Sequence, residues 1–281
     1  MKSETIFDLR DVSYSYLGKI DALKGVSLKV CSGEQIAIMG ANGSGKSTLL
    51  AILDALIYPT SGKFYAFGRE ITEDLFDSVE EDDFRSYFRK RVGFVFQNSD
   101  VQLFSPTVYD EVAFGPLQLD LPTEEVKARV DEVLEFVGIT KLRDRAPHTL
   151  SGGEKKKVCI ASVLVTNPDV LLLDEPTAGL DPRTQLWLAE LLLEIAQAGK
   201  TVVTATHDLE IMEQISTRAV VVGEDHRVKV DAPSKDVLSN TELLLDANLL
   251  HRHIHRHGGI QHQHLHVHQK EHSHNHSSKP F

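Results

Sequence analysis

Gly40-Ala41-Asn42-Gly43-Ser44-Gly45-Lys46-Ser47 is a run whose residue types and spacing do chemistry together. It fits G-x-x-x-x-G-K-[ST], a phosphate cradle. The glycines let the backbone curl so that successive N–H groups point at phosphate oxygens, and the helix N-terminus that follows adds partial positive charge. Lys46 is placed to neutralise the β- and γ-phosphates and Ser47 to ligate Mg²⁺. The candidate nucleotide contacts here are Gly40, Asn42, Gly43, Ser44, Gly45, Lys46, Ser47 and Thr48. An ordinary Gly-rich turn does not require eight residues in this order between a strand and a helix.

A second constellation is Val170-Leu171-Leu172-Leu173-Asp174-Glu175, an apolar run ending in two carboxylates. Aliphatics without alternation suit a strand covered on both faces. Sites in open parallel sheets gather at the carboxyl ends of strands. Asp174 is placed to hold Mg²⁺, and Glu175 to polarise an attacking water as general base. A third is Leu150-Ser151-Gly152-Gly153-Glu154, ahead of a helical run stopped by Asn167-Pro168. Ser-x-x-Glu by itself is a capping box. Adjacent glycines are not needed for a cap; they allow close backbone approach, and a helix N-terminus favours an anion.

Strands and helices must position these residues. Strand-like segments occur across 5–38 and recur at Lys63–Phe67, Val92–Phe96, Val170–Leu173, Val202–Ala205 and Ala219–Val222. Helical patterns at Lys46–Leu56, 123–137, 153–166 and 182–198 separate several of them. That alternation predicts an α/β fold with a largely parallel sheet. The block from about 98 to 165 reads as an inserted helical subdomain. Residues 226–250 read as a short C-terminal extension, with Ala232-Pro233-Ser234 starting a helix. Eight acidic residues crowd 70–83, which reads as a solvated face or loop.

The three constellations stand in the order found in the ABC ATPase family, which the chain resembles over roughly residues 4–225. The resemblance implies a P-loop NTPase core with an N-terminal antiparallel β subdomain and the inserted helical subdomain, together forming an ABC domain over 1–225. Ser151–Glu154 resembles the family signature, whose usual last residue is Gln. Tyr16, two residues beyond Tyr14, resembles the aromatic that stacks on adenine. Gln97, after Gly93-Phe94-Val95-Phe96, resembles the glutamine that links Mg²⁺ and water to the helical subdomain. Ala178-Gly179-Leu180-Asp181 resembles the loop crossing the dimer interface, and His207 the switch histidine at the γ-phosphate. The resemblance implies an ATPase with catalytic Glu175, His207, Gln97 and Lys46. Mg²⁺ would lie on Ser47, Gln97 and Asp174. Two chains would pair head to tail, so that Ser151, Gly152 and Gly153 of one face the Lys46 loop of the other.

The segment Asn98–Val108 and Asp110-Glu111-Val112-Ala113-Phe114-Gly115-Pro116 resembles the Q-L-F and E-V-A-F-G-P patterns of energy-coupling-factor importers. In that branch the region docks a coupling helix of a transmembrane subunit, and a substrate-binding membrane subunit completes the assembly. Residues 251–281 form a histidine-rich tail. His251, His253, His255 and His257 alternate, as do His262, His264, His266 and His268. Imidazole suits Ni²⁺ and Co²⁺, as well as Zn²⁺ and Cu²⁺. The repetitive spacing reads as a disordered multivalent chelator. Nickel or cobalt import is the expectation. A vitamin or zinc importer, a soluble ABC ATPase and a metal-buffering protein are the alternatives.

Composition narrows the field. Lys and Arg number 30 against 41 Asp and Glu, a net charge of −11, which disfavours nucleic acid as partner. No apolar run approaches the roughly 18–20 residues of a membrane span, and Met1–Ile6 offers no signal-peptide stretch. Two distant cysteines, Cys31 and Cys159, fit a reduced cytosolic chain. The expected location is the cytoplasmic face of a membrane, reached through partners.

Overall fold

The computed structural model describes residues 4–77, 82–257 and 260–267, those from 251 on by backbone alone. β1 (Thr5–Tyr16) and β2 (Ile20–Cys31) pair antiparallel, with Leu9 opposite Leu28 and Val12 opposite Val26. β3 (Gln35–Met39) leads through the glycine-rich loop into α1 (Lys46–Leu53). β4 (Ser61–Ala66) and β5 (Arg69–Glu70) follow, then α2 (Glu73–Asp77), α3 (Asp82–Arg91) and β6 (Val92–Val95). Four helices come next: α4 (Ser99–Gln102), α5 (Val108–Gln118), α6 (Thr123–Phe136) and α7 (Gly152–Leu164). Beyond them run β7 (Val170–Asp174), α8 (Pro182–Gln197), β8 (Thr201–Thr206), α9 (Leu209–Ile215) and β9 (Arg218–Val222). β10 (Val228–Pro233), α10 (Ser234–Ser239), α11 (Thr241–Asp246), β11 (Leu250–His257) and β12 (Ile260–Val267) complete the described chain.

The strands form an antiparallel sheet, β2-β1-β4-β5, and a six-stranded sheet, β10-β9-β3-β8-β7-β6. In the larger sheet every pair except β10–β9 is parallel. This is the expected fold: a P-loop α/β core beside an antiparallel β part and a helical part. Phe7, Leu9 and Val26 of the small sheet pack with Ile38, Leu50 and Val203 against one face of the large one. Leu188 and Leu192 of α8 cover Leu171 and Leu173 on the other face. All five β7 residues are therefore buried, which explains its unbroken aliphatic run. α5, α6 and α7 share a third core through Val112, Val130, Leu134 and Val158. Because Val158 and Ala161 face that core while Cys159 and Ile160 face α8, α7 locks the helical part onto the sheet.

Two expectations need amendment. The boundary drawn at residue 225 falls in the β9–β10 turn, and β10 extends the main sheet with Val230 near Val221 and Ala232 opposite Ala219. Val237, Leu244, Ala247 and Leu249 then pack with Ala37, Met39 and Val221. Residues 226–250 thus belong to the core; their apolar positions are spread over three short elements, so no single period showed in the sequence. The acidic stretch is a solvated face as expected: exposed Glu73 and Asp74 open α2 and exposed Asp82 and Asp83 open α3, where negative charge complements the helix dipole. Glu80 and Glu81 lie outside the described residues. In the tail, which the sequence reading left without structure, the backbone pairs β11 with β12 antiparallel. His268 and the residues after it lie outside the described residues.

Candidate active site

Four adjacent strands end at one edge of the sheet. Met39 lies opposite Thr206, Asp174 opposite Ala205 and Val95 opposite Leu173. The phosphate loop after β3, His207 after β8, Asp174-Glu175 at the end of β7 and Gln97 after β6 therefore emerge side by side.

The loop needs its glycines. Gly45 has φ 111°, and a Cβ there would meet the Ala22 carbonyl oxygen at 2.2 Å. A Cβ on Gly40 would meet the Val222 oxygen at 2.4 Å. Around Gly43, by contrast, there is open space. The Ser44 hydroxyl is buried and has no hydrogen-bond partner among the described residues. An orphaned donor in a glycine cradle, with Asn42 exposed beside it, fits an incoming phosphate oxygen. Lys46 is only 5% exposed; its Nζ donates to the Gly40 and Ala41 carbonyls at 2.9 and 3.2 Å and lies 3.3 Å from Glu175 Oε1. Ser47 Oγ donates to Asp174 Oδ1 at 3.0 Å. Those two oxygens are hard donors that fit Mg²⁺. Burial raises the Asp174 carboxyl above its ordinary range, against the Ser47 hydrogen bond that lowers it.

Glu175 is held on three sides. Its amide donates to the Ala205 carbonyl at 2.9 Å. His207 Nδ1 lies 2.9 Å from Oε2, and Lys46 lies at Oε1. Its φ is 40°, a left-handed conformation that costs a non-glycine residue about 1–3 kcal/mol, held here by the packing of β7 on β8. Burial works to raise its carboxyl, but the His207 hydrogen bond and the Lys46 charge outweigh it and leave the group below its ordinary range. The same hydrogen bond raises His207. The result is an ionised, oriented carboxylate at the mouth of the phosphate loop, the chemistry a general base requires.

The remaining expected residues sort by position. Tyr16 OH lies 3.1 Å from Thr48 Oγ1, and its ring is 43% exposed beside the loop. Tyr14 meets Tyr16 edge-on at 4.9 Å but packs against the core, so Tyr16 is the aromatic with an open face. Gln97 is exposed, and its backbone oxygen is held while its side chain carries no described bond. Ser151 opens α7 with the capping box in place: Glu154 Oε2 accepts from the Ser151 amide at 2.8 Å and hydroxyl at 2.9 Å. A Cβ on Gly153 would meet Thr184 Oγ1 at 3.0 Å, whereas Gly152 faces open space. No described contact joins Ser151, Gly152 or Gly153 to the phosphate loop of the same chain. Asp181 caps α8, accepting from the Arg183 and Thr184 amides.

One residue escaped the sequence reading. Lys156, in the run Lys155-Lys156-Lys157, is 2% exposed, and its Nζ donates to the carbonyls of both Phe96 and Gln97 at 2.9 Å. The signal was helical spacing: Lys156 stands four residues before buried Ile160 and three before buried Cys159. Three consecutive lysines resemble a solvated face, and that composition masked the period.

Comparison with known proteins completes the description of the site. Residues 23–178 match the family model described as ABC transporter. A relative from Methanosarcina acetivorans, named provisionally as an ABC transporter ATP-binding protein, is 67% identical over 254 residues, covering 90% of this chain and 92% of its own. The nickel import ATP-binding protein NikO of Rhodobacter capsulatus is 47% identical over 247 residues, covering 87% and 95%. Among solved structures, CbiO1 of Clostridium perfringens, part of the ABC transporter complex CbiONQ, superposes with a TM-score of 0.74 at 38% identity, over 88% of this chain and 95% of its own.

Proposed function

The chain belongs to the ABC transporter family as an ATP-hydrolysing cassette, and from that premise we propose that it energises an energy-coupling-factor importer for a transition metal, nickel or cobalt. The observation that carries the enzymatic reading is Glu175, ionised and held between Lys46 and His207 at the edge where the phosphate loop opens.

Without nucleotide, Lys46 is shared between two loop carbonyls and Glu175. An arriving β/γ-phosphate offers it a stronger partner, and the exchange releases Glu175. His207 then keeps the carboxylate oriented. Glu175 accepts a proton from water as that water's oxygen bonds to the γ-phosphorus; the bond from the γ-phosphorus to the β,γ-bridging oxygen breaks, its electron pair leaves with ADP, and inorganic phosphate is released. Mg²⁺ would be held by Ser47 and Asp174, with Gln97 proposed as a further ligand, and would supply charge neutralisation to the phosphates. Tyr16 presents its exposed ring to the adenine. Each site lacks one wall: Ser151 and Gly152 are exposed and away from their own loop. A second copy supplying them head to tail completes two equivalent sites. ATP that bridges both chains favours the closed dimer, and hydrolysis removes that preference.

The import reading draws on three further supports. NikO and CbiO1 are named for nickel import and for a multi-subunit transporter complex. Among the described residues no helix is long and apolar enough to cross a membrane, and an importer of this kind would supply its spans through membrane subunits. Val101, Phe104, Phe114 and Leu117 are 73, 67, 43 and 50% exposed on the helical part, with Phe104 edge-on to Phe114 at 5.0 Å. An apolar patch of this kind fits the coupling helix of a transmembrane subunit. Glu111 behind it is buried and binds the Phe104 and Ser105 amides at 2.9 and 2.8 Å, which fixes the patch in place.

The test is a dimerisation and turnover assay. Glu175→Gln is expected to lower turnover by at least about 100-fold and to accumulate an ATP-dependent dimer on a sizing column. Lys46→Ala is expected to abolish both. Full turnover in Glu175→Gln would assign the base elsewhere.

A further inference from the structure

The backbone of the tail gives the histidines a geometry that their spacing alone does not. β11 and β12 pair so that His251 stands opposite His266, His253 opposite His264 and His255 opposite His262. Strand residues two apart share a face. These six therefore form one face of the hairpin, as three successive cross-strand pairs. Arg252, Ile254 and Leu265 fall on the other face.

The geometry points to an ordered binding site for a borderline divalent cation, Ni²⁺, Co²⁺, Zn²⁺ or Cu²⁺, built from the cross-strand pairs His251/His266, His253/His264 and His255/His262. Directly opposed residues have Cβ atoms about 4.5–5.5 Å apart. Successive pairs on one face are separated by about 7 Å along the strand. Two neighbouring pairs frame four imidazole-bearing positions of a size that one ion spans. Neutral imidazole is the commonest ligand for these metals. The middle pair, His253/His264, is common to both possible squares, so the hairpin holds one or two ions rather than many. An isolated two-stranded hairpin is marginally stable in water. Metal bound across it staples the strands, and binding free energy becomes folding free energy.

The site is rooted in the cassette. Leu249 is 1% exposed, and the Asn248 side chain donates to Glu224 at 3.0 Å, three residues before His251. No flexible linker separates the hairpin from the core sheet. The choice of ion class follows from imidazole chemistry and stands whether or not the transporter moves a metal.

The test keeps composition constant. Nickel binding to the full chain is measured by titration calorimetry, with β-structure followed by circular dichroism. The quadruple variant His253→Ile, Ile254→His, His264→Leu, Leu265→His moves both middle histidines to the opposite face, where positions 254 and 265 no longer stand opposite each other. The control Arg252→Ile, Ile254→Arg leaves all three pairs intact. Wild type and control are expected to bind one or two nickel ions with a gain in strand signal; the quadruple variant is expected to bind at least about tenfold more weakly, without that gain. Equal affinity and stoichiometry in the quadruple variant would make the tail an unstructured chelator and overturn the ladder, as would absence of nickel binding in wild type. Loss of metal uptake in cells bears on the import reading alone and leaves this result unaffected.

Discussion

Glu175, Lys46 and His207 form a closed set before nucleotide arrives, and their charges set a pH dependence. His207 is raised from its ordinary value of 6.5 by Glu175, so its contribution to stability is whole below that value and fades as pH rises through the raised one. Glu175 is lowered from 4.5, so its contribution is present above that value and fades as pH falls through the lowered one. The pair stabilises most between those two ordinary values. His207→Gln is expected to lower the Tm by about 2 °C at pH 6, since solvent screening at the partly exposed imidazole keeps the pair to about 1 kcal/mol or less. The difference is expected to shrink toward zero at pH 9. A thermal-shift series across that range checks it; a deficit that grows with pH would refute the ion pair. At this scale the sequence was highly legible. Lys46, Ser47, Asp174 and Glu175 lie in short contiguous motifs whose chemistry depends on local spacing. The Lys46–Glu175 contact was hidden because it arises only when β8 seats the ends of β3 and β7 at one edge of the sheet, and the unpartnered Ser44 hydroxyl because it depends on how the glycine loop curls.

The elements do more than carry these residues. α7 packs on two cores at once, and Lys156 ties it to the segment after β6 through two carbonyls. Gln102 adds a second tie, accepting from the Phe96 amide at 3.1 Å and donating to the Cys159 carbonyl at 3.1 Å. The helix that begins at Ser151 therefore moves with Gln97. Lys156→Met keeps length and burial but leaves the Phe96 and Gln97 carbonyls without their donor. It is expected to lower kcat by about tenfold, as a misplaced positioning group does, with little change in nucleotide KM and with partial rescue by Lys156→Arg. Steady-state ATPase kinetics decide; a KM effect alone would place Lys156 in nucleotide binding instead. The largely parallel sheet and the helical insertion were readable from alternating periods; the strand order was not. The place of β10, α10 and α11 was not, because their apolar residues follow no single period and are gathered only by the core around Ala37 and Met39.

At the level of the whole molecule, the exposed aromatics on the helical part and the exposed Ser151 and Gly152 are the surfaces proposed to meet partners. Phe104→Asp puts a charge on the apolar patch without touching the ATP site. It is expected to leave turnover of the isolated cassette within about twofold, since surface substitutions away from a site change little, and to abolish co-purification with the membrane subunits. Retained co-purification would move the docking surface elsewhere. Net charge and the lack of a long apolar run were legible in composition, whereas the assembly was legible only through motifs shared with transport ATPases. The most direct measurement is accumulation of nickel, cobalt and zinc in cells expressing this chain with its membrane partners, beside Lys46→Ala and Glu175→Gln versions. ATP-driven metal import requires accumulation of nickel or cobalt in wild type and its loss in both variants. Accumulation that is absent in wild type, or unchanged in the variants, would contradict it.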